Sequence, residues 1–166
     1  MTTVRPRDER RIVGAMRGSP RLAERSIVGA MTGVTTAPNP HGSEATTHGV
    51  RVRAEPRYLK ERSDPSVGKF LFGYRITIFN ESDHSIRVEG RRWRIVDADG
   101  TAHEVEGLGI VGRQPEIPPG EQFEYSSYAP LATPWGTMEG GYRVIPEDGE
   151  AFEARVDRFY LVSGGG

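Results

Sequence analysis

Residues 70–79 decide the fold and read Phe70-Leu71-Phe72-Gly73-Tyr74-Arg75-Ile76-Thr77-Ile78-Phe79. Large apolar side chains occupy every second position of this stretch, and a strict period of two is typical of a strand with one buried face. The turn-forming residues Asn-Glu-Ser-Asp follow at 80–83, where side-chain hydrogen bonds to the backbone favour a reversal. The stretch therefore predicts a strand of an antiparallel sheet.

The next strand carries an apolar pattern that changes parity. Ile86 and Val88 share one parity, whereas Trp93 and Ile95 share the other, with Gly90 between them. A β-bulge inserts one extra residue and would place all four apolar side chains on the core face. We therefore expect a bulge near Gly90 and a buried Trp93.

Turn signals separate the remaining strands. Asp99-Gly100 predicts a hairpin, and Pro119-Gly120 suits a type II turn. From Val50 onward about seven or eight strands follow, without a convincing helix, which predicts an all-β antiparallel β-sandwich. Trp93 and Tyr142 would suit an immunoglobulin-like core without its disulfide. The expected inward residues of the later strands are Phe123, Tyr125, Met138, Gly140, Tyr142, Val144, Phe152, Ala154 and Val156.

Residues 1–47 are predicted to be an Arg-rich, disordered tail, and residues 48–166 the sandwich domain, with residues 35–48 as a linker. The tail contains a near-repeat, because Glu-Arg-Arg-Ile-Val-Gly-Ala-Met at 9–16 recurs as Glu-Arg-Ser-Ile-Val-Gly-Ala-Met at 24–31. Two interpretations remain open. The copies are either a pair of short docking segments or part of an unstructured extension.

Composition excludes several classes of protein. The 166-residue chain has no cysteine, so it has no disulfide, thiolate zinc site or cysteine nucleophile. A formal net charge of −1 gives no global basic field for nucleic acid. No apolar run approaches the ~18 residues that span a bilayer, so we expect no membrane insertion and a cytoplasmic location.

The polar residues form no recognisable catalytic or metal site. The four histidines are dispersed, without the i, i+4 pairing of a zinc helix. Asp97 and Asp99 fit a hairpin turn better than half of a cation loop. The serines and histidines show no spacing that is typical of a catalytic nucleophile with its general base. We therefore predict a protein that is not an enzyme, with no catalytic residues, no metal and no cofactor. The histidines are His41, His48, His84 and His103.

Three arginines surround Trp93. Strand parity places Arg92 and Arg94 opposite the tryptophan, and Arg91 on its side. A solvated outer face is favoured over a groove that binds phosphates, because single-strand stacking would need exposed aromatic rings.

The string Gly-x-Gly-x-x-Gly occupies residues 107–112 and is followed by Arg113. A dinucleotide-binding loop must open a helix, but three prolines among residues 115–119 exclude one. Two interpretations remain. Either the loop forms an anion-binding nest for pyrophosphate or a nucleotide, with Arg113 pairing the charge, or its glycines serve positive φ and close packing. The candidate anion-binding residues are Gly107, Gly109, Gly112 and Arg113.

Several motifs together resemble the ApaG family, over about residues 48–162. The first are Tyr58-Leu59 with Glu61, Ser63 and Pro65, then Phe72-x-Tyr74-x-Ile76-x-Ile78-x-Asn80 and Arg92-Trp93-x-Ile95-x-Asp97. The others are Gly107-x-Gly109-x-Val111-Gly112-x-Gln114-Pro115, Pro119-Gly120-x-x-Phe123-x-Tyr125-x-Ser127 and Leu131-x-Thr133-Pro134-x-Gly136-x-Met138-x-Gly140-x-Tyr142.

The resemblance implies a fibronectin type III-like sandwich. Similar domains in F-box proteins and a polymerase-interacting protein serve protein binding, and the bacterial family is associated with cobalt resistance and magnesium efflux. Pyrophosphate or nucleotide binding has been suggested from its glycine motif. We therefore expect a non-enzymatic binding module with an unidentified protein partner, the alternative being a pyrophosphate or nucleotide-phosphate binder. The Arg-rich tail departs from the family's usual form.

Overall fold

The computed structural model describes the backbone of Ile27–Ala30 and all of residues 39–164. In this part of the chain, two antiparallel sheets face each other, one in the order β1-β8-β4-β3-β2 and the other β10-β9-β5-β6, with β7 paired to β5. The all-β sandwich is thus confirmed. The strands are β1 Ile27–Ala30, β2 Ser43–Thr47, β3 Val50–Tyr58, β4 Phe70–Asn80, β5 Ile86–Asp97, β6 Ala102–Leu108, β7 Glu116–Ile117, β8 Glu121–Leu131, β9 Trp135–Pro146 and β10 Phe152–Val162.

Helical structure in the described residues is limited to two 3₁₀ turns, Lys60–Arg62 and Pro65–Val67. Both turns lie between β3 and β4. No helix in the described ranges is long and apolar enough to cross a membrane.

An aromatic cluster lies between the sheets. Its centre is Trp93, which is 3% exposed. The ring centroids of Tyr74, Tyr142 and Phe159 lie 5.6, 6.0 and 5.9 Å from that of Trp93, in edge-to-face arrangements. Such geometry suits the quadrupoles of aromatic rings and adds to the free energy of apolar burial. The predicted burial of Trp93 and Tyr142 is confirmed.

The bulge predicted near Gly90 is present. The register between β5 and β9 shifts between Val88 and Gly90, and the apolar residues on both sides of the shift, such as Ile86 and Trp93, are buried. A second shift lies in β10 between Val156 and Phe159. The sequence interpretation stopped at Val156, because the parity changes there without a glycine to mark the bulge.

Both predicted turns form as expected. Gly100 has φ +91° in the β5–β6 hairpin, and the carboxylate of Asp97 accepts the amide of Thr101 at 3.0 Å. Gly120 has φ +80°, and the amide of Glu121 donates to Pro118 at 3.1 Å, as in a type II turn.

The sandwich begins before the predicted boundary at residue 48. Strand β2 pairs antiparallel with β3, and Ser43 Oγ donates to the carbonyl of Asp157 at 2.6 Å. The linker interpretation is therefore wrong for residues 43–47. Strand β2 lies at the edge of its sheet, and its polar residues show no apolar alternation. A tight turn at His48 (φ +46°) and Gly49 (φ +82°) connects it to β3.

The second copy of the near-repeat supplies β1, which pairs antiparallel with β8. The first copy, at residues 9–16, lies outside the described residues, as do the other residues of 1–26 and residues 31–38 of the predicted disordered tail.

Candidate functional site

The glycine-rich segment turns as a tight β-hairpin. Ile110 and Arg113 exchange two backbone hydrogen bonds, with N···O distances of 2.6 and 2.9 Å. The two residues between them, Val111 (φ +48°) and Gly112 (φ +80°), both have positive φ. A two-residue loop of this kind is a type I′ turn, whose twist matches that of the flanking strands.

Several amides of the glycine-rich segment donate to carbonyl oxygens of the chain. The amide of Gly109 donates to Glu89 at 2.6 Å, and the amides of Ile110 and Arg113 are occupied by the hairpin pair. A Cβ atom at Gly109 would overlap the carbonyl oxygen of Arg113. This geometry favours the conformational role of the glycines, and the anion site stays a prediction.

The structure brings the four predicted site residues into one segment. Gly107 lies in β6 opposite Arg91, Gly109 is buried, and Gly112 and Arg113 are exposed at the tip. The absence of a helix after this segment agrees with the exclusion of a dinucleotide fold, since the next element is β7.

Arg91 anchors the glycine-rich segment and was not predicted to do so. Its guanidinium donates to the carbonyl oxygens of Leu108, at 3.1 Å, and Gly109. Burial lowers the pKa of Arg91, since desolvation disfavours the charged form. The sequence did contain an indication of this role, because strand parity places Arg91 on the same side of β5 as the buried Trp93.

Carboxylates neutralise the other two arginines around Trp93. Arg92 forms a bidentate salt bridge with Glu153, in which Nε and Nη2 each donate a hydrogen bond at 3.0 Å. Arg94 pairs with Glu104 at 2.8 Å. Paired charges on an outer face agree with the solvated-face interpretation, because a phosphate would have to displace these carboxylates.

A polar cluster lies beneath the glycine-rich segment. The hydroxyls of Tyr125 and Tyr142 are hydrogen bonded to each other. Burial raises the pKa of Tyr125 to about 12, and it raises the pKa of Tyr74 and Tyr142 well above the ordinary value. A cavity of about 20 Å³ lies among Tyr74, Arg91 and Trp93. It has room for about one water molecule and none for pyrophosphate.

A surface groove adjoins the glycine-rich segment, and we call it the glycine groove. Gly90, Gly107 and Gly141 form part of its lining, together with Leu108 and Phe152. Its volume is about 480 Å³, and the Leu108 side chain beside it is 79% exposed. Two ion pairs flank it, Arg92–Glu153 at 3.0 Å and Arg143–Glu89 at 2.8 Å.

A second groove of about 700 Å³ lies beside the end of β10, and we call it the basic groove. His41, Arg57, Lys60, Tyr58 and Tyr160 line it, and no carboxylate does so among the described residues. Tyr160 is 44% exposed. Within residues 39–164 no ion pair or side-chain hydrogen bond engages Arg57 or Lys60. The first ApaG motif contributes Tyr58 and Pro65 to this groove, but it was not interpreted as a binding site, since the other lining residues come from separate parts of the chain.

Residues 39–164 contain no cluster of three or more potential metal ligands of the His, Cys, Asp or Glu type. Asp97 and Asp99 bind backbone amides of their own hairpin, in agreement with the turn interpretation. His48 packs edge-on against Phe152, with ring centroids 4.9 Å apart.

Comparison with known proteins identifies the family. The ApaG domain matches residues 60–146. The chain belongs to the ApaG family. A relative from Thiobacillus denitrificans named Protein ApaG is 46% identical over 119 residues, which cover 72% of this chain and 94% of the relative. One from a Methylobacterium species is 44% identical over 118 residues, covering 71% and 91%.

A solved structure agrees with this family. The crystal structure of an ApaA protein from Bordetella pertussis has a TM-score of 0.69 and 43% identity. The match covers 70% of this chain and 95% of that one.

Several residues of the ApaG motifs hold loops in place. Ser63 Oγ donates to Leu59 at 2.8 Å and accepts the amide of Leu71 at 2.9 Å. Thr133 Oγ1 accepts the amide of Ala98 at 3.0 Å, and the Gln114 side chain donates to the Glu89 carbonyl at 3.1 Å. The ApaG pattern therefore describes the scaffold at these positions.

Proposed function

We propose that this ApaG protein is a non-enzymatic module that binds a protein partner at the glycine groove. The observation that carries the proposal is Leu108, whose side chain is 79% exposed beside that groove. Exposed apolar surface that continues into a concave surface marks interaction sites, whereas an isolated exposed residue does not. Phe152 continues the apolar surface across the groove.

The floor of the groove admits close approach of a second chain. Three of its residues are glycines, Gly90, Gly107 and Gly141. A Cβ atom at Gly90 would lie 2.9 Å from the carbonyl oxygen of Gly107, so a side chain is disfavoured there. With backbone as floor, a partner segment can lie against the sheet and place an apolar side chain beside Leu108.

Charged groups at the rim define the partner further. The Arg92–Glu153 and Arg143–Glu89 pairs present both signs of charge. A partner segment with an apolar anchor and flanking charges of both signs would complement this rim. Exposed pairs of this kind contribute register and specificity more than affinity.

The test uses a photo-crosslinking residue in the full chain, in place of Leu108 or of Val67. Val67 is also exposed, at 70%, but lies outside the groove. We expect one protein to crosslink at position 108 and not at 67. With that protein purified, Leu108→Asp should weaken binding at least tenfold and Val67→Asp should leave it unchanged. Equal binding by both variants would contradict the groove.

Binding of pyrophosphate or a nucleotide phosphate is the second candidate. The basic groove supports it, because cations without carboxylate partners and an exposed tyrosine ring suit a phosphorylated ligand with a planar ring. The glycine-rich segment with Arg113 is the other location.

Isothermal titration with pyrophosphate and with ATP, each with and without Mg²⁺, separates these locations. Loss of binding in Arg113→Ala alone would assign the glycine-rich segment, and loss in Arg57→Ala/Lys60→Ala alone would assign the basic groove. An absence of heat at millimolar ligand would remove this candidate and leave the protein-binding proposal intact.

We place this binding role in the cytoplasm. A partner-binding role would also fit the association of ApaG proteins with cobalt resistance and magnesium efflux, since the partner would then act on the cation.

A further inference from the structure

The outer edge of β8 accepts an added strand. β1 pairs antiparallel with its first four residues, so that Ile27 lies opposite Glu124 and Ala30 opposite Glu121. On its other side β8 pairs with β4. Without β1, therefore, β8 would be the open edge of its sheet, with unpaired backbone groups that bind an extended segment.

The chain contains the segment that fits this edge twice. β1 has the sequence Ile-Val-Gly-Ala, and residues 12–15 repeat these four residues. Main-chain hydrogen bonds between strands do not depend on the identity of the side chains. Because the two copies also have identical side chains at alternating positions, both suit the same edge equally well. Each chain thus carries two donor segments for a single acceptor edge.

The connection within one chain is short. The strand registers place Ala30 level with Val50, three strand spacings away, which is about 14 Å. Asn39 is hydrogen bonded to Pro56 at 2.9 Å, six residues further along β3, which is about 20 Å. The straight line between Ala30 and Asn39 is then about 24 Å. The eight residues between them span at most about 30 Å when fully extended.

We propose that the β8 edge binds the N-terminal segment of a second copy of this chain, giving a reciprocally strand-exchanged dimer. A donor from another chain forms the same pairs, and a short connection favours exchange of identical elements. Once one segment has added, the reciprocal addition takes place within the complex. Each contact is only four residues long and therefore weak. The fraction of dimer consequently rises with protein concentration.

Proline substitutions in the full chain test the donors. Proline lacks the backbone N–H and interrupts a ladder. We expect light scattering after size exclusion to show a dimer that grows with concentration. Val28→Pro should weaken it, Val13→Pro/Val28→Pro should abolish it, and Thr3→Pro, which adds a proline to the tail outside both copies, should have no effect. A monomer at every concentration, or a dimer unchanged in the double variant, would overturn the proposal.

A disulfide test separates exchange from pairing within one chain. Because the chain has no cysteine, any disulfide joins introduced residues. Gly29 lies opposite Gln122, and facing residues of an antiparallel pair are close enough for a disulfide. A mixture of Gly29→Cys chains and Gln122→Cys chains should give a covalent heterodimer on oxidation. If the mixture stays uncrosslinked while the Gly29→Cys/Gln122→Cys chain closes only on itself, exchange is ruled out.

Discussion

The glycine-rich segment and the basic groove differ in how their hydrogen-bonding groups are used. The segment has a spacing that suggests phosphate binding, yet the amides of Gly109, Ile110 and Arg113 already donate to carbonyl oxygens. The basic groove has no phosphate-binding spacing, yet Arg57 and Lys60 line it without a carboxylate among the described lining residues. Glycine spacing therefore specifies backbone conformation, whereas the availability of polar groups for a ligand depends on contacts with other parts of the chain.

The largest expected effect is from Gly109→Ala. Gly109 has φ +68°, and a Cβ atom there would overlap the carbonyl oxygen of Arg113. We expect a loss of about 2–4 kcal/mol in the free energy of unfolding, measured with denaturant. Gly112→Ala is the matched control, because it shares a positive φ but meets no atom within 4 Å, and should cost about 1 kcal/mol. Equal losses would show that the hairpin does not restrict Gly109.

Alkaline pH should destabilise the cluster beneath the segment. Burial raises the pKa of Tyr125 from 10.0 to about 12. The unfolded chain therefore loses this proton first, so the stabilisation is complete below pH 10 and is lost as the pH rises toward 12. The shift corresponds to about 3 kcal/mol for this tyrosine, of which about half is lost by pH 11. Unfolding free energies at pH 8 and pH 11 measure that part. Tyr125→Phe should lessen the dependence, and unchanged stability at pH 11 would contradict it.

Arg91→Met should cost about 2 kcal/mol, because it removes the charged donor to the carbonyls of Leu108 and Gly109. The control is Arg94→Met, on the opposite face of the same strand, where an exposed pair with Glu104 is lost. That control should cost less than about 1 kcal/mol. Denaturant unfolding of both variants compares them, and an equal cost would remove the anchoring role of Arg91.

The smallest effect is expected in the basic groove. Arg57→Ala/Lys60→Ala should change the free energy of unfolding by less than about 0.5 kcal/mol, since neither side chain holds a partner among the described residues. Thermal and denaturant unfolding check this. A loss above about 1 kcal/mol would mean that these cations stabilise the fold, and the contrast with the glycine-rich segment would disappear.

Much of the fold was predictable because its signals are local. The parity change around Gly90 indicated the bulge in β5, and the pairs Asp99-Gly100 and Pro119-Gly120 indicated their turns. The bulge before Phe159 was missed, because no glycine marks it. Strand β2 was missed because an edge strand of polar residues resembles a linker. Of the candidate site, the sequence indicated the segment but not the use of its amides.

The central strands and most of their core-facing residues follow from the sequence alone, because side chains alternate along any extended backbone. Tertiary contacts alone determine which polar groups are free to bind a ligand. Arg92 is neutralised by Glu153, 61 positions away, and the amide of Gly109 is taken by Glu89 across the β5–β6 pair. Such contacts join residues that folding brings together, so the spacing of a motif contains no record of them.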